Sequence, residues 1–405
     1  MVPRTIETFL QQARRRFPVL LVAGARQVGK STLLESMRES DRRLVTLDDP
    51  ILLELARRDA ALFLQRFPPP VLIDEVQYAP QLLPHIKMLV DKLQRPDLFW
   101  LTGSQPFHLM RGVSESLAGR VAVVRLQGFS ERERLLRAAD EIFDPSPEAI
   151  QKRLLGLPPP NLKQLYKNIW LGSFPAVVLG NHEDRDLYLS SYVQTYLQRD
   201  LRDLARVGDE SAFLRFLRAT AARTGQFLNH AGLARDVDIS PATAKSWLSI
   251  LITSGLVHLV EPWHSNLTKR MVRAPKLFFL DTGLAAWLTG WSTAETLESG
   301  AMAGAFLETW VAVELLKSWW HAGQEPPLYV WRDRDGVEID LLIARDGKLY
   351  PIEVKKSAQP GSDAVRSFRA LARSGKEPGL GSVICLSPHH IPITGDAWSI
   401  PITAL

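Results

Sequence analysis

The sequence predicts an α/β chain: a parallel sheet covered on both faces, then a helical block, then a smaller α/β block. Three observations point there. Residues 1–140 alternate short β-rich runs with helix-forming stretches, residues 162–300 are dominated by helical periodicity, and residues 301–405 open on one helix before turning β-rich. At 405 residues the chain exceeds what one hydrophobic core ordinarily serves, so two or three domains are expected.

In the first block the β-rich runs are VLLVAG (19–24), RLVTL (43–47), VLIDEV (71–76), LFWLTGS (98–104) and RVAVVRL (120–126). Runs that are continuously apolar, with helices between them, belong to parallel strands buried on both faces. Residues 141–161 contain Pro145, Pro147 and the triplet Pro158–Pro160, which predicts a linker without regular structure. The third block opens with the helix-forming GAFLETWVAVELLKSWW.

Apolar residues make up 46% and charged residues 23% of the chain, which excludes a disordered protein. Lys and Arg number 49 against 44 Asp and Glu, and the stretch 199–276 alone holds 12 basic against 7 acidic residues, so a polyanionic partner is plausible there. The one cysteine, Cys385, lies in the apolar run SVICL and excludes an internal disulfide; a core thiol in a reducing compartment is expected. The N-terminus carries charge where a secretory signal needs an apolar region, and no apolar run approaches the roughly 20 residues of a membrane span, so a cytoplasmic protein with no membrane partner is expected.

GARQVGKST, residues 24–32, fits G-x-x-x-x-G-K-[ST] between an apolar strand and a helix-forming stretch, the setting of a phosphate-binding loop. Gly24 and Gly29 let the backbone curl, so that the amides from Ala25, Arg26, Gln27 and Val28 through Lys30, Ser31 and Thr32 face phosphate oxygens of ATP. Lys30 is expected on the β- and γ-phosphates and Ser31 on Mg2+. Asp74 and Glu75 end an apolar strand, where a carboxylate needs a cation; Asp74 would orient the magnesium and Glu75 would polarise the attacking water. Ser104 or Thr102 would sense the γ-phosphate, or serve as an ordinary strand-end hydroxyl. Arg120 would reach a phosphate in its own or a neighbouring subunit, or lie on the surface.

GARQVGKST, LDDP (47–50), VLIDEVQ, LTGSQ and ESLAGR stand in the order found in a widespread prokaryotic family of AAA+-like ATPases, which the chain resembles. YLQRDLRDL, LNHAGLARDVDISPATAKSWLSIL and PKLFFLDTGLAAWLTG resemble the same family's C-terminal half, so the likeness covers nearly the whole chain. It implies the additional-strand (ASCE) P-loop topology, ATP hydrolysis with Mg2+ and a homo-oligomer, such as a ring, with an arginine acting in trans. Gln105 stands where a second serine is frequent in that family.

LNHAGLARDVDISPATAKSWLSILITSGLVHLV has the cadence of a winged helix-turn-helix. Leu233, Val237 and Ile239 would anchor the first helix and turn, Ser240 would cap the second, and Trp247, Leu248, Leu251 and Ile252 would face inward. Thr243, Lys245 and Ser246 would then face a DNA groove, with Lys269, Arg270, Arg273 and Lys276 on the wing for phosphates. Winged helices that bind only protein follow the same pattern.

In the third block VEIDLLIA and LYPIEVK flank Arg345-Asp346-Gly347-Lys348, a hairpin signal that would bring Asp340 beside Glu353 and Lys355. This D…E-x-K set resembles the restriction-endonuclease-like (PD-(D/E)-x-K) fold, with Ile339 where a proline is usual. The likeness implies a second Mg2+ held by Asp340 and Glu353, with Glu308 as a third carboxylate and Lys355 activating water. Three functions stay open: a DNA-processing ATPase, motor or switch, acting on branched or junction DNA; an ATP-gated nuclease; and a nucleotide-dependent switch binding protein.

Overall fold

The computed structural model describes residues 2–104, 116–138, 142–196, 209–263, 274–333, 335–374 and 377–405. The first block forms five parallel strands, β1 (Val19–Ala23), β2 (Arg43–Thr46), β3 (Val71–Asp74), β4 (Phe99–Gly103) and β5 (Val121–Arg125), in the order β2-β3-β4-β1-β5. Placing β4 between β1 and β3 is the additional-strand arrangement of the parallel-sheet P-loop ATPase fold. Alternate residues of one strand serve opposite layers: Leu20 and Val22 pack with Trp100 and Val124, while Val19 and Leu21 pack with Ile73 and Leu101. A continuously apolar strand is required because both faces are covered.

The proline-rich stretch is not a bare linker. Pro147 occupies the first turn of a helix, Pro147–Leu154, where its missing N–H costs nothing. Ile150 and Arg153 of that helix are buried, and the Arg153 guanidinium donates to the carbonyls of Ala404 (2.7 Å) and Leu405 (3.2 Å).

In the middle block the helices His230–Val237 and Pro241–Thr253 meet at a turn through Asp238, whose φ is +58°. Asn229 and Ser240 cap them, accepting from the amides of Gly232 (2.9 Å) and Thr243 (3.0 Å). Trp247 sets its ring edge against Phe213 and Phe216, and Leu233, Val237, Leu248 and Leu251 are buried while Ile239 and Ile252 are half-buried. Three short strands, β6 (Gln226–Phe227), β7 (Val257–Val260) and β8 (Lys276–Phe279), pair antiparallel in the order β6-β8-β7 beside these helices.

The third block packs a buried helix, Ala303–Trp320, on a mixed sheet. Its strands are β9 (Leu328–Arg332), β10 (Glu338–Arg345), β11 (Lys348–Lys355), β12 (Glu377–Pro378), β13 (Gly381–Cys385), β14 (Pro392–Thr394) and β15 (Ala397–Pro401). They run β14-β15-β13-β11-β10-β9, with β12 on β11. Asp346 (φ +52°) and Gly347 (φ +79°) make the two-residue turn that the Asp-Gly pair predicts between β10 and β11. Cys385 is fully buried. Among the described residues no helix is long and apolar enough to cross a membrane.

The first block keeps a cluster of its own on one face of its sheet, around Phe63, Ile73 and Leu101, and the third block keeps two smaller ones, but the three blocks also share a core. One hydrophobic cluster includes Leu20 and Val124 of the first block, Leu248 and Phe278 of the middle block, and Val311 and Ile400 of the third.

Candidate functional site

The loop 24–29 leaves β1 beside the segment that follows β5. A Cβ on Gly24 would fall 2.2 Å from the Leu126 carbonyl oxygen, so only glycine fits. Gln27 (φ +61°) and Gly29 (φ +94°) complete the curl, and Gly29 starts the helix Lys30–Met37. The Lys30 side chain is 5% exposed and its Nζ donates to the carbonyls of Gly24 (3.1 Å) and Ala25 (2.8 Å), so the ammonium lies over the loop. Arg26 turns outward to the Tyr78 hydroxyl (3.0 Å).

The residues expected to share magnesium are already in contact: the Ser31 hydroxyl donates to Asp74 Oδ1 at 2.6 Å. Register explains what surrounds them. Ile73 pairs with Leu101, which sets Thr102 beside Asp74, while Glu75 and Ser104 lie just past the two strand ends. Thr102 Oγ1 donates to Asp74 Oδ1 and accepts from the Glu75 amide (3.0 Å), and Ser104 Oγ donates to Glu75 Oε2 (2.9 Å). Thus Thr102 holds the metal-side carboxylate and Ser104 holds Glu75, two positions that sequence left as alternatives. Gln77, to which sequence gave no role, donates to Glu75 Oε2 and to Ser104 Oγ (3.1 Å). Its approach depends on the left-handed backbone of Glu75 (φ +57°), which no residue type at that position announces. The donor set of one hydroxyl and one carboxylate beside a phosphate loop suits Mg2+, a hard cation bound by few protein oxygens.

Arg120 immediately precedes β5, and Val19 pairs with Val121, so it stands at the end of the sheet opposite its own phosphate loop. A strand of five residues separates them, about 17 Å. The Arg120 guanidinium grips Asp91 through Nε (2.6 Å) and Nη2 (3.0 Å), on the surface.

In the third block the hairpin places Asp340 across from Glu353, because Leu341 pairs with Ile352. Asp340 Oδ2 accepts from the Val354 amide (2.9 Å), and Glu353 accepts from the Ser367 hydroxyl (2.8 Å) and the Lys355 ammonium (2.6 Å). Lys355 Nζ is 3.9 Å from Asp340. Burial, and then the nearby Asp340, push the Glu353 carboxyl up to about 7. Burial would lower the Lys355 ammonium, but Asp340 and Glu353 outweigh it and hold it above its ordinary value.

Two expectations are corrected here. Glu308 lies near enough to Asp340 and Glu353 to feel their charge, but among the described residues no group of three or more His, Cys, Asp or Glu is arranged to hold a metal. Instead Glu308 meets Lys276 Nζ at 2.5 Å, with burial, and Asp340 beside it, pushing its carboxyl up to about 8 against the pull of that lysine. Lys276 in turn is withdrawn from any role on DNA phosphates, since it is 5% exposed and points into the third block. It begins β8, whose pattern is buried throughout. Lys269, Arg270 and Arg273, like Gln105, lie outside the described residues. Lys245 and Ser246 are exposed on the helix Pro241–Thr253, while Thr243 is half-buried with its hydroxyl 2.8 Å from that of Ser240.

Comparison with known proteins accounts for much of the chain. Residues 16–135 match the AAA domain family, residues 162–295 match a domain of unknown function (DUF8612), and residues 303–405 match another (DUF4143). The uncharacterized proteins Rv2008c of Mycobacterium tuberculosis and Mb2031c of Mycobacterium bovis are each 31% identical over 394 residues, covering 97% of this chain and 82% of the relative. Among solved structures, the Walker-type ATPase PABY2304 of Pyrococcus abyssi is 18% identical, covers 70% of this chain and 94% of its own, and gives a TM-score of 0.43. The Thermotoga maritima RuvB Holliday junction branch migration motor is 18% identical over 62% of this chain and 88% of its own, with a TM-score of 0.28. Those two scores are too low to establish a shared fold. The mycobacterial match spans nearly the whole sequence, and the chain belongs to the family of Rv2008c and Mb2031c, with a P-loop ATPase of the AAA type as its first block.

Proposed function

We propose that the protein is a Mg2+-dependent ATPase acting on DNA as a processing motor or switch, with branched or junction DNA as its substrate class. The observation that carries the ATPase half is the Ser31–Asp74 contact beside a buried Lys30, with Glu75 held by Ser104 and Gln77. Lys30 would leave the loop carbonyls for the phosphates, and Ser31 and Asp74 would hold the magnesium, which screens phosphate charge when bound. Glu75, fixed by its two donors, would take the proton from the attacking water. Arg120, out of reach of its own loop, fits a role in trans at a subunit boundary of a homo-oligomer.

Support for DNA comes from the capped helix Pro241–Thr253, which offers Lys245 and Ser246 to solvent beside a short antiparallel sheet, as a winged helix-turn-helix does. ATP turnover is expected to rise at least threefold with four-way or duplex DNA, and the stimulation to fade on going from low to high salt as phosphate contacts are screened. Turnover indifferent to every DNA form would overturn the DNA half and favour the nucleotide-dependent switch that binds protein.

One observation favours a second activity, an ATP-gated nuclease: Asp340, Glu353 and Lys355 converge as in restriction-endonuclease-like sites. Digestion of plasmid DNA in Mg2+ by the wild type and not by Asp340→Ala would support it, and equal digestion by both would remove it.

A further inference from the structure

Arg4 precedes the first helix, far in sequence from any motif, yet it is 6% exposed and its guanidinium is spent on the phosphate loop. Nη1 donates to the Val28 carbonyl (3.1 Å) and Nη2 to the Gln127 carbonyl (2.7 Å), so one side chain spans the two backbone segments that border the loop. Nε lies 3.2 Å from Glu133, and the plane rests 4.8 Å over the Phe129 ring. Glu133 is fully buried and also accepts from the amides of Thr5 and Ser130 (both 2.9 Å), which fixes the carboxylate that fixes the arginine.

The consequence follows from peptide geometry. In a trans peptide the C=O and the next N–H point in opposite directions. A guanidinium that draws the Val28 carbonyl to the outside of the loop therefore turns the Gly29 amide toward the inside, where a phosphate oxygen would accept from it. Gly29 is free to follow because its φ of +94° carries no Cβ penalty, and an added Cβ would lie 3.5 Å from Arg4 Nη1. We propose that Arg4 is a positioning residue for phosphate binding: it presets the Gly29 amide through the Val28 carbonyl and clamps the loop to the Gln127 carbonyl. The proposal rests on the reading of loop 24–32 as the triphosphate site.

The test uses the full chain, with mant-ATP titration, steady-state ATP turnover and thermal melting without nucleotide. Arg4→Met should raise KM and the mant-ATP Kd at least tenfold while kcat falls less than threefold, because the chemistry at Glu75 is untouched. Arg4→Lys, able to donate to one of the two carbonyls at a time, should recover part of the loss. A purely structural arginine would lower the melting temperature and leave KM where it was; that result, or a KM within twofold of wild type, overturns the proposal. If Arg4→Met does not fold, Arg4→Lys carries the test, with at least a threefold rise in KM expected and an unchanged KM overturning it. Failure of the wild-type chain to bind mant-ATP at all would instead remove the phosphate-loop reading, and Arg4's part with it.

Discussion

Lys30→Ala should lower kcat/KM for ATP by about 10²–10³-fold, the usual cost of deleting one preorganised charge from a phosphoryl-transfer site. The lysine enters the reaction from a particular starting point. Its ammonium is desolvated and donates to the Gly24 and Ala25 carbonyls, so its dehydration is complete before nucleotide arrives. Exchanging two neutral acceptors for anionic phosphate oxygens strengthens each hydrogen bond. Alanine loses that exchange and also leaves two loop carbonyls without their donor, so nucleotide affinity and turnover should fall together. Glu75→Gln should behave differently, keeping nucleotide affinity while losing turnover. Phosphate release assayed beside mant-ATP titration separates the two, and a Lys30→Ala protein retaining more than a tenth of wild-type turnover would contradict the assignment of this loop.

The second large effect concerns stability. Lys276→Met should cost progressively more above about pH 8, because Glu308, its carboxyl pushed up to about 8, ionises there beside the lysine and without it must stay neutral or strand a charge in the interior. The pair is buried on both sides, 6% and 14% exposed, and sits where the middle block meets the third. The double variant Lys276→Met/Glu308→Leu should recover most of the loss, since replacing a buried pair by apolar groups is near neutral. The effect has a definite pH sign. Without the lysine, Glu308 stays protonated in the folded chain above its unfolded value, so its contribution is present below the unfolded pKa and is lost as pH rises. The single variant should therefore be closer to wild type at about pH 6 than at about pH 9.5 in urea unfolding. Equal deficits at both would mean that the ion pair is not what Lys276 provides.

How much of this was legible in the sequence depended on whether the signal was local. The strand ends came within one or two residues: the three inner strands read as unbroken apolar runs because both their faces are covered, and the edge strands β2 and β5 by their valines and leucines although each exposes some residues. The Asp346-Gly347 turn was readable because both residues must take positive φ. The phosphate loop was readable because only glycine tolerates the backbone at 24 and 29. Pro147 misled because proline breaks a helix interior but opens a helix equally well, and what decides is the partner that buries Ile150 and Arg153. Lys276 misled for a deeper reason: a lysine in a basic stretch looks solvated until β8 is known to run beneath Glu308. Arg4 and Gln77 carry no signature: Arg4 meets partners 24 and 123 residues away, and Gln77 depends on a left-handed backbone at Glu75 that no residue type there requires.

The cluster that joins Leu20, Leu248, Val311 and Ile400 has a mechanical corollary. Rigid bodies can swing about a hinge only if water can enter the gap that opens, and here the gap would be lined with leucine, valine and isoleucine. Any movement of the blocks against one another would therefore travel as sliding between surfaces that stay in contact, over about an ångström or two rather than tens. On the reading proposed above, such short travel would suit a switch that tightens and releases far better than a motor that reaches for a new handhold.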